Sequence, residues 1–168
     1  RDMVRKVHFP AQVFPLAAAA AAYVVHGIGY SLFLLALALW QGGLSVATLG
    51  AVFMLLALQF AVTAGLGLLL AAFTVYLRDT AQVLGLVLTA MFYTAPILYP
   101  LALVPEGFRG LVHLNPFTAF AEAYHHAILT NVWPEPGITL GLFLFAVGAL
   151  SLGAYVFRRL EPGFADVL

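Results

Sequence analysis

From Pro10 to Leu77 the chain carries no Asp, Glu, Lys or Arg, and between Asp79 and Glu106 it again carries none. A charge-free run of that length limits the possible folds more than any motif does. Soluble domains cover their surfaces with charged side chains, about a quarter of all residues. Here 8% of residues are charged and 64% are hydrophobic, so the surface suits lipid rather than water. A bilayer core is crossed by roughly 20 apolar residues in a helix. Backbone polar groups inside it must be bonded within the element. The expectation is an all-α integral membrane protein.

Four transmembrane helices are expected, over about 13–40, 46–76, 81–99 and 137–157. The first opens on Pro15 and an alanine run, and the break "QGGLS" at 41–45 separates it from the second. The third stops at the prolines of "APILYP". Residues 100–136 are apolar in patches but broken by Pro100, Pro105, Pro116, Pro134 and Pro136. Helical pieces there, over 106–113 and 117–130, are too short to cross and read as re-entrant or interfacial helices between the third and fourth spans. The whole of 1–168 then forms one membrane domain, with 1–10 and the tail 158–168 in water.

The few charges orient these spans. With a cytoplasmic N-terminus, Arg1, Arg5, Lys6, Arg78, Arg158 and Arg159 fall on the inner side and only Arg109 on the other. That is the bias of the positive-inside rule. Trp40 and Trp133 then lie at the outer interface, Tyr76 and Tyr155 at the inner one. Arg78 and Asp79 read as a tight cytoplasmic turn between the second and third spans rather than a buried ion pair.

Several function classes drop out. Formal net charge is zero and no basic stripe occurs, which gives nucleic acid nothing to bind. There is no cysteine, hence no disulfide, thiolate metal site or Cys nucleophile. No G-x-S-x-G, H-E-x-x-H or glycine-rich phosphate loop is present. The G-x-G of "GLGLLLAAF", 65–73, sits inside an apolar span, where small residues let helices approach closely.

The most suggestive polar cluster is "AEAYHHAILTN", 121–131. Glu122 and His126 share a helix face at i, i+4 spacing and could pair. With His125 they are wetted groups at an outer mouth, part of a transport pathway, or the acid-base groups of an intramembrane enzyme. His113 is the one further ligand nearby in sequence, and no metal site is expected. His26, Gln59 and Thr63 read as interhelical hydrogen-bonding groups. Phe92, Tyr93, Tyr99, Phe117, Phe120 and Tyr124 cluster around the proline-broken region, either as packing and interface anchors or as a stacking surface for a sugar or other amphipathic substrate. Together with Glu122 they are the candidate substrate path.

Taken in order, "VRKVHFP", "YLRDTAQVLGLVLTAMFYTAPILYP", "VPEGFRGLVHLNPFTAFAEAYHHAIL" and "FRRLEPGFADVL" resemble the membrane permease of type-2 ABC exporters. The similar branch is the one exporting O-antigen, capsule or teichoic-acid polysaccharides. The resemblance implies a six-span permease of the bacterial cytoplasmic membrane that forms a homodimer, contacts membrane lipid and moves a lipid-linked glycan. Both termini of this chain would be cytoplasmic. ATP and Mg would be held by a separate ABC ATPase subunit, with no cofactor and no catalytic residue on this chain. Arg1, Asp2, Val4, Arg5, Lys6, His8, Phe9 and Pro10 would form an amphipathic coupling helix that docks on the ATPase. Arg78-Asp79 would be the family's cytoplasmic turn, and 105–131 its re-entrant helices. An exporter of the same fold for a drug or lipid is the alternative; an intramembrane enzyme using Glu122, His125 and His126 is the alternative of another class. Two departures stand out. Nothing corresponds to the first two spans of such permeases, and there is no initiating Met, so the chain reads as the C-terminal two-thirds of a subunit. Tyr124-His125 also stands where the family usually has Tyr-Arg.

Overall fold

The computed structural model describes residues 10–77 and 79–164, and among these the regular structure is helical, with no strand. The helices in chain order are α1 (Val13–Gln41), α2 (Val46–Tyr76), α3 (Thr80–Thr94), α4 (Glu106–Leu114), α5 (Pro116–Thr130) and α6 (Pro136–Leu160). Single 3₁₀ turns occupy Leu101–Leu103 and Glu161–Gly163. Among the described residues, three helical stretches are long and apolar enough to cross a membrane: α1, α2, and α6 with its 3₁₀ extension to Gly163. The apolar helix α3 has 15 residues. Helix was expected to run on toward Tyr99, but Pro96 follows Ala95, and the residue before a proline is pushed out of the α region.

Local chemistry sets the helix ends. Pro15 lies in the first turn of α1, where a backbone N–H has no intrahelical acceptor to lose. The alanine run behind it has the best helix propensity of any side chain. At the other end Gly42 and Gly43 take φ of 77° and 128°, and both N–H groups turn back to the Ala38 carbonyl. Only glycine enters that region without a Cβ penalty. Several hydroxyls along the apolar helices are satisfied on their own backbone: Ser31 donates to Gly27 O at 2.7 Å, Thr74 to Leu70 O at 2.8 Å and Thr89 to Gly85 O at 2.8 Å. Where water is missing, such i−4 bonds keep an isolated hydroxyl from being orphaned.

Packing divides the chain into two units. The first gathers the described parts of Arg1–Gly43, Phe60–Thr80 and Phe145–Leu168; the second gathers Leu44–Gln59 and Ala81–Leu144. In the first, Leu68 and Ala72 of α2 pack with Phe157 of α6 and with Phe164, flanked by Ala11, Leu16, Val75, Ala154 and Leu160. In the same unit α2 and α6 meet backbone to backbone. A Cβ on Gly65 would overlap the backbone of Ala149 and Leu150, and one on Gly153 would overlap the backbone of Gly65. In the second unit the buried residues include Ala51, Val52 and Leu55 of α2, Val112 of α4, and Phe120, Ala123, Ala127 and Ile128 of α5. By contrast α1 and α3 have no buried residue. Open apolar faces of this extent call for an apolar surrounding.

The crossing yields a direct test. One added methyl group at Gly153 has only backbone to push against, and overpacking of this kind costs about 1–3 kcal/mol. Gly153→Ala should lower the unfolding temperature measured in detergent micelles. Gly148→Ala, whose Cβ would meet open space, should leave it unchanged or slightly raised. Equal behaviour of the two variants would remove the crossing from the account of stability.

Candidate functional site

The proline-broken region is built by side chains that close helix ends. At the end of α3 the Tyr99 hydroxyl lies 3.1 Å from both the Tyr93 and Thr94 carbonyls, as donor. Asn115 Nδ2 donates to Met91 O at 2.6 Å and to Thr94 Oγ1 at 3.0 Å. The Oδ1 of the same buried Asn115 accepts from Phe117 N–H at 3.0 Å, capping α5, with Pro116 in the first helical position. One residue therefore ends one helix and starts another. Buried Thr118 donates to Val112 O at 2.6 Å, closing α4, while Arg109 Nε donates to Val104 O at 3.0 Å just before that helix.

The far end of α5 is tied to the start of α2. Ser45 caps α2, its Oγ accepting from Thr48 N–H at 3.0 Å. Asn131 follows α5 in the left-handed region at φ 60°. Its Oδ1 accepts from Ser45 N–H at 2.9 Å and from Thr48 Oγ1 at 2.5 Å, and its carbonyl accepts from Ser45 Oγ at 3.1 Å. Thr48 Oγ1 is also 3.2 Å from the Ala127 carbonyl. The positive end of one helix dipole thus meets the negative end of another. Further along, the Tyr124 hydroxyl donates to Gln59 Oε1 at 3.0 Å, a second tie between α5 and α2.

The candidate path residues take different positions. Phe92 and Tyr93 are exposed at the end of α3, their rings edge-to-face at 5.5 Å. Tyr99, Phe117, Glu122 and Tyr124 are half-buried, and Phe120 is buried. His125 and His126 are exposed, and His126 takes part through its carbonyl, which accepts from Thr130 Oγ1 at 2.6 Å. Among the described residues no group of three His, Cys, Asp or Glu side chains converges. In the first unit Thr63 makes the interhelical contact its position suggested, 3.5 Å from the Tyr23 hydroxyl, with the Tyr23 ring edge-on to Phe60. His26 is exposed on α1.

Residues Arg1, Asp2, Val4, Arg5, Lys6, His8 and Phe9 of the expected coupling helix, and Arg78 of the expected turn, lie outside the described residues. Pro10 and Asp79 are described, and both are exposed. Asp79 belongs to the short connection from α2 to α3, where the Thr80 N–H and hydroxyl donate to Leu77 O at 3.1 and 2.7 Å.

Sequence reasoning missed Asn115, Thr118, Ser45, Thr48 and Asn131 as organisers. For two of them the signal was present: Asn before Pro before an apolar run, and Ser at the mouth of one, are helix-start signatures.

Residues 3–129 match the ABC2_membrane family, ABC-2 type transporter. The chain belongs to this family. Its relatives include the O-antigen export system permease protein RfbA of Myxococcus xanthus, 30% identical over an alignment of 169 residues that covers 99% of this chain and 64% of that protein. Two O-antigen export system permease proteins RfbA of Klebsiella pneumoniae are 23% and 22% identical over 129 residues, covering 77% of this chain and 46% of theirs. The ABC-2 chain thus spans between about half and two-thirds of the length of the relatives it matches.

Within this ABC-2 fold, Asn115→Ala should leave Phe117 N–H without its partner and remove one of the bonds to Met91 O, which keeps Ala95 N–H at 3.0 Å, at a cost of about 1–3 kcal/mol. Hydrogen exchange should speed up at the first turn of α5. Asn115→Asp, which keeps the acceptor for Phe117 but loses the donor for Met91, should fall between. Exchange in both variants at the native rate would show that this residue does not hold the junction.

Proposed function

We propose that this ABC-2 chain is the membrane permease part of an ATP-driven exporter that moves a lipid-linked polysaccharide across the bacterial cytoplasmic membrane. The observation that carries the reading is a match over 99% of the chain to a protein named for O-antigen export. In this reading α3, with the residues up to Tyr99, is a fourth span beside α1, α2 and α6. Both ends of the chain face the cytoplasm, and α4 and α5 lie at the outer side. A second permease copy and the bilayer cover the open faces of α1 and α3.

The chemistry asked of this chain is positioning alone. The segment Arg1–Pro10 docks on an ABC ATPase, which holds ATP and Mg. Its basic residues, Arg1, Arg5 and Lys6, supply charge for that contact. Exposed Phe92 and Tyr93 offer ring faces to a passing sugar, with Phe117 and Glu122 beside the same route. Phe120, Tyr99 and Tyr124 serve the path by holding its wall, since the two hydroxyls are engaged on Tyr93, Thr94 and Gln59.

Charge reversal at Arg5 and Lys6 together should weaken ATPase binding by about tenfold or more, since close interfacial charge pairs couple by about 1.5 kcal/mol upward, while membrane insertion is retained. The measurement is the affinity of the purified ATPase for the permease, expressed from its natural reading frame and held in nanodiscs. ATP-dependent transfer of lipid-linked glycan into the lumen of inverted vesicles should fall in step. Unchanged affinity would overturn the docking assignment. Glycan transfer without any ATPase would overturn the exporter.

A further inference from the structure

We propose that Glu161 is a positioning residue that couples movement entering at Ala11 to α6 and α2. The inference rests on the reading that residues before Ala11 dock an ATPase. The observation is a hydrogen bond across 150 residues: Ala11 N–H donates to Glu161 Oε1 at 3.2 Å. Amides at the start of a helix have no intrahelical acceptor, and a carboxylate is well suited to that end because the helix dipole favours negative charge there. Arg159, two residues before Glu161, donates instead to the Tyr155 hydroxyl at 3.1 Å.

The turn that carries Glu161 is itself fixed. The Tyr76 hydroxyl at the end of α2 donates to Leu160 O at 3.0 Å. Phe164 is buried, with ring centroids 5.4 Å from Phe157 and 6.0 Å from Tyr76. A Cβ on Gly163 would meet the Tyr76 hydroxyl, so the turn passes directly beneath it. Ala11 and Leu16 pack on the same cluster of Leu68, Ala72, Phe157 and Phe164. Apolar contact alone would let the start of α1 slip over these rings. The carboxylate supplies the directional link. Because its partner is a backbone amide, the link depends on the side chain at 161 and not on the one at 11.

The test uses the permease–ATPase complex in nanodiscs. The sequence contains no cysteine, so a single spin label at Leu152→Cys, an exposed position on α6, reports without background. Addition of ATP should change the label's spectrum. In Glu161→Ala that change should shrink about fivefold, the effect of losing one hydrogen bond from one of two states, while ATPase affinity stays native. Glu161→Gln, which keeps an acceptor oxygen, should recover most of it. Tyr76→Phe, which removes only the bond to Leu160, should weaken the response while leaving the fold, and it decides the matter if Glu161→Ala does not fold. A full response in Glu161→Ala with ATPase still bound overturns the link alone. Failure of the native chain to bind ATPase overturns the link together with the docking assignment beneath it.

Discussion

A helix that stops inside an apolar medium must give its last carbonyls and first amides to something other than water. Several interruptions in the second unit meet this demand with a side chain. Asn115 and Tyr99 take the end of α3, Thr118 the end of α4, and Ser45, Thr48 and Asn131 the junction of α5 with α2. Each bond is worth about 1 kcal/mol net, but leaving a buried group unpaired costs about 1–3 kcal/mol. That asymmetry, more than the gain, makes short helices such as α4 and α5 affordable among apolar neighbours.

The same closures set the positions of the rings and charges around them. Tyr124 sits where it does because α5 is tied to α2 at Asn131 and again at Gln59. Phe92 and Tyr93 are exposed because α3 ends just after them, with its carbonyls already taken by Asn115 and Tyr99. A surface of this kind owes its shape to polar atoms, although almost all of its area is apolar.

Local structure was largely legible in the sequence. A charge-free apolar run followed by "QGGLS" located α1 and α2 to within a residue or two, because glycine pairs and serine are local signals for stopping and starting a helix. Prolines likewise marked the pieces that became α4 and α5. Partners far apart in the chain were not legible. Glu122 and His126 had the spacing of a pair, yet spacing gives only a shared face, whereas the bonds that organise the region join 91 to 115, 59 to 124 and 45 to 131. Tyr99 and Tyr124 illustrate the gap well. From sequence their rings read either as packing anchors or as surface for a substrate, and the fold shows where the hydroxyls go. Periodicity reports burial, and a hydroxyl has no period.

The meeting of α2 and α6 at Gly65 and Gly153 has a mechanical consequence. Helices that touch through side chains can yield by changing rotamer. Here backbone lies on backbone, and there is no rotamer to change. Sliding one helix along the other would require lifting Ala149 over Gly65. Rotation about the contact requires no such lift. The crossing therefore acts as a rivet: a push on either helix in this unit is turned into a change of angle between them.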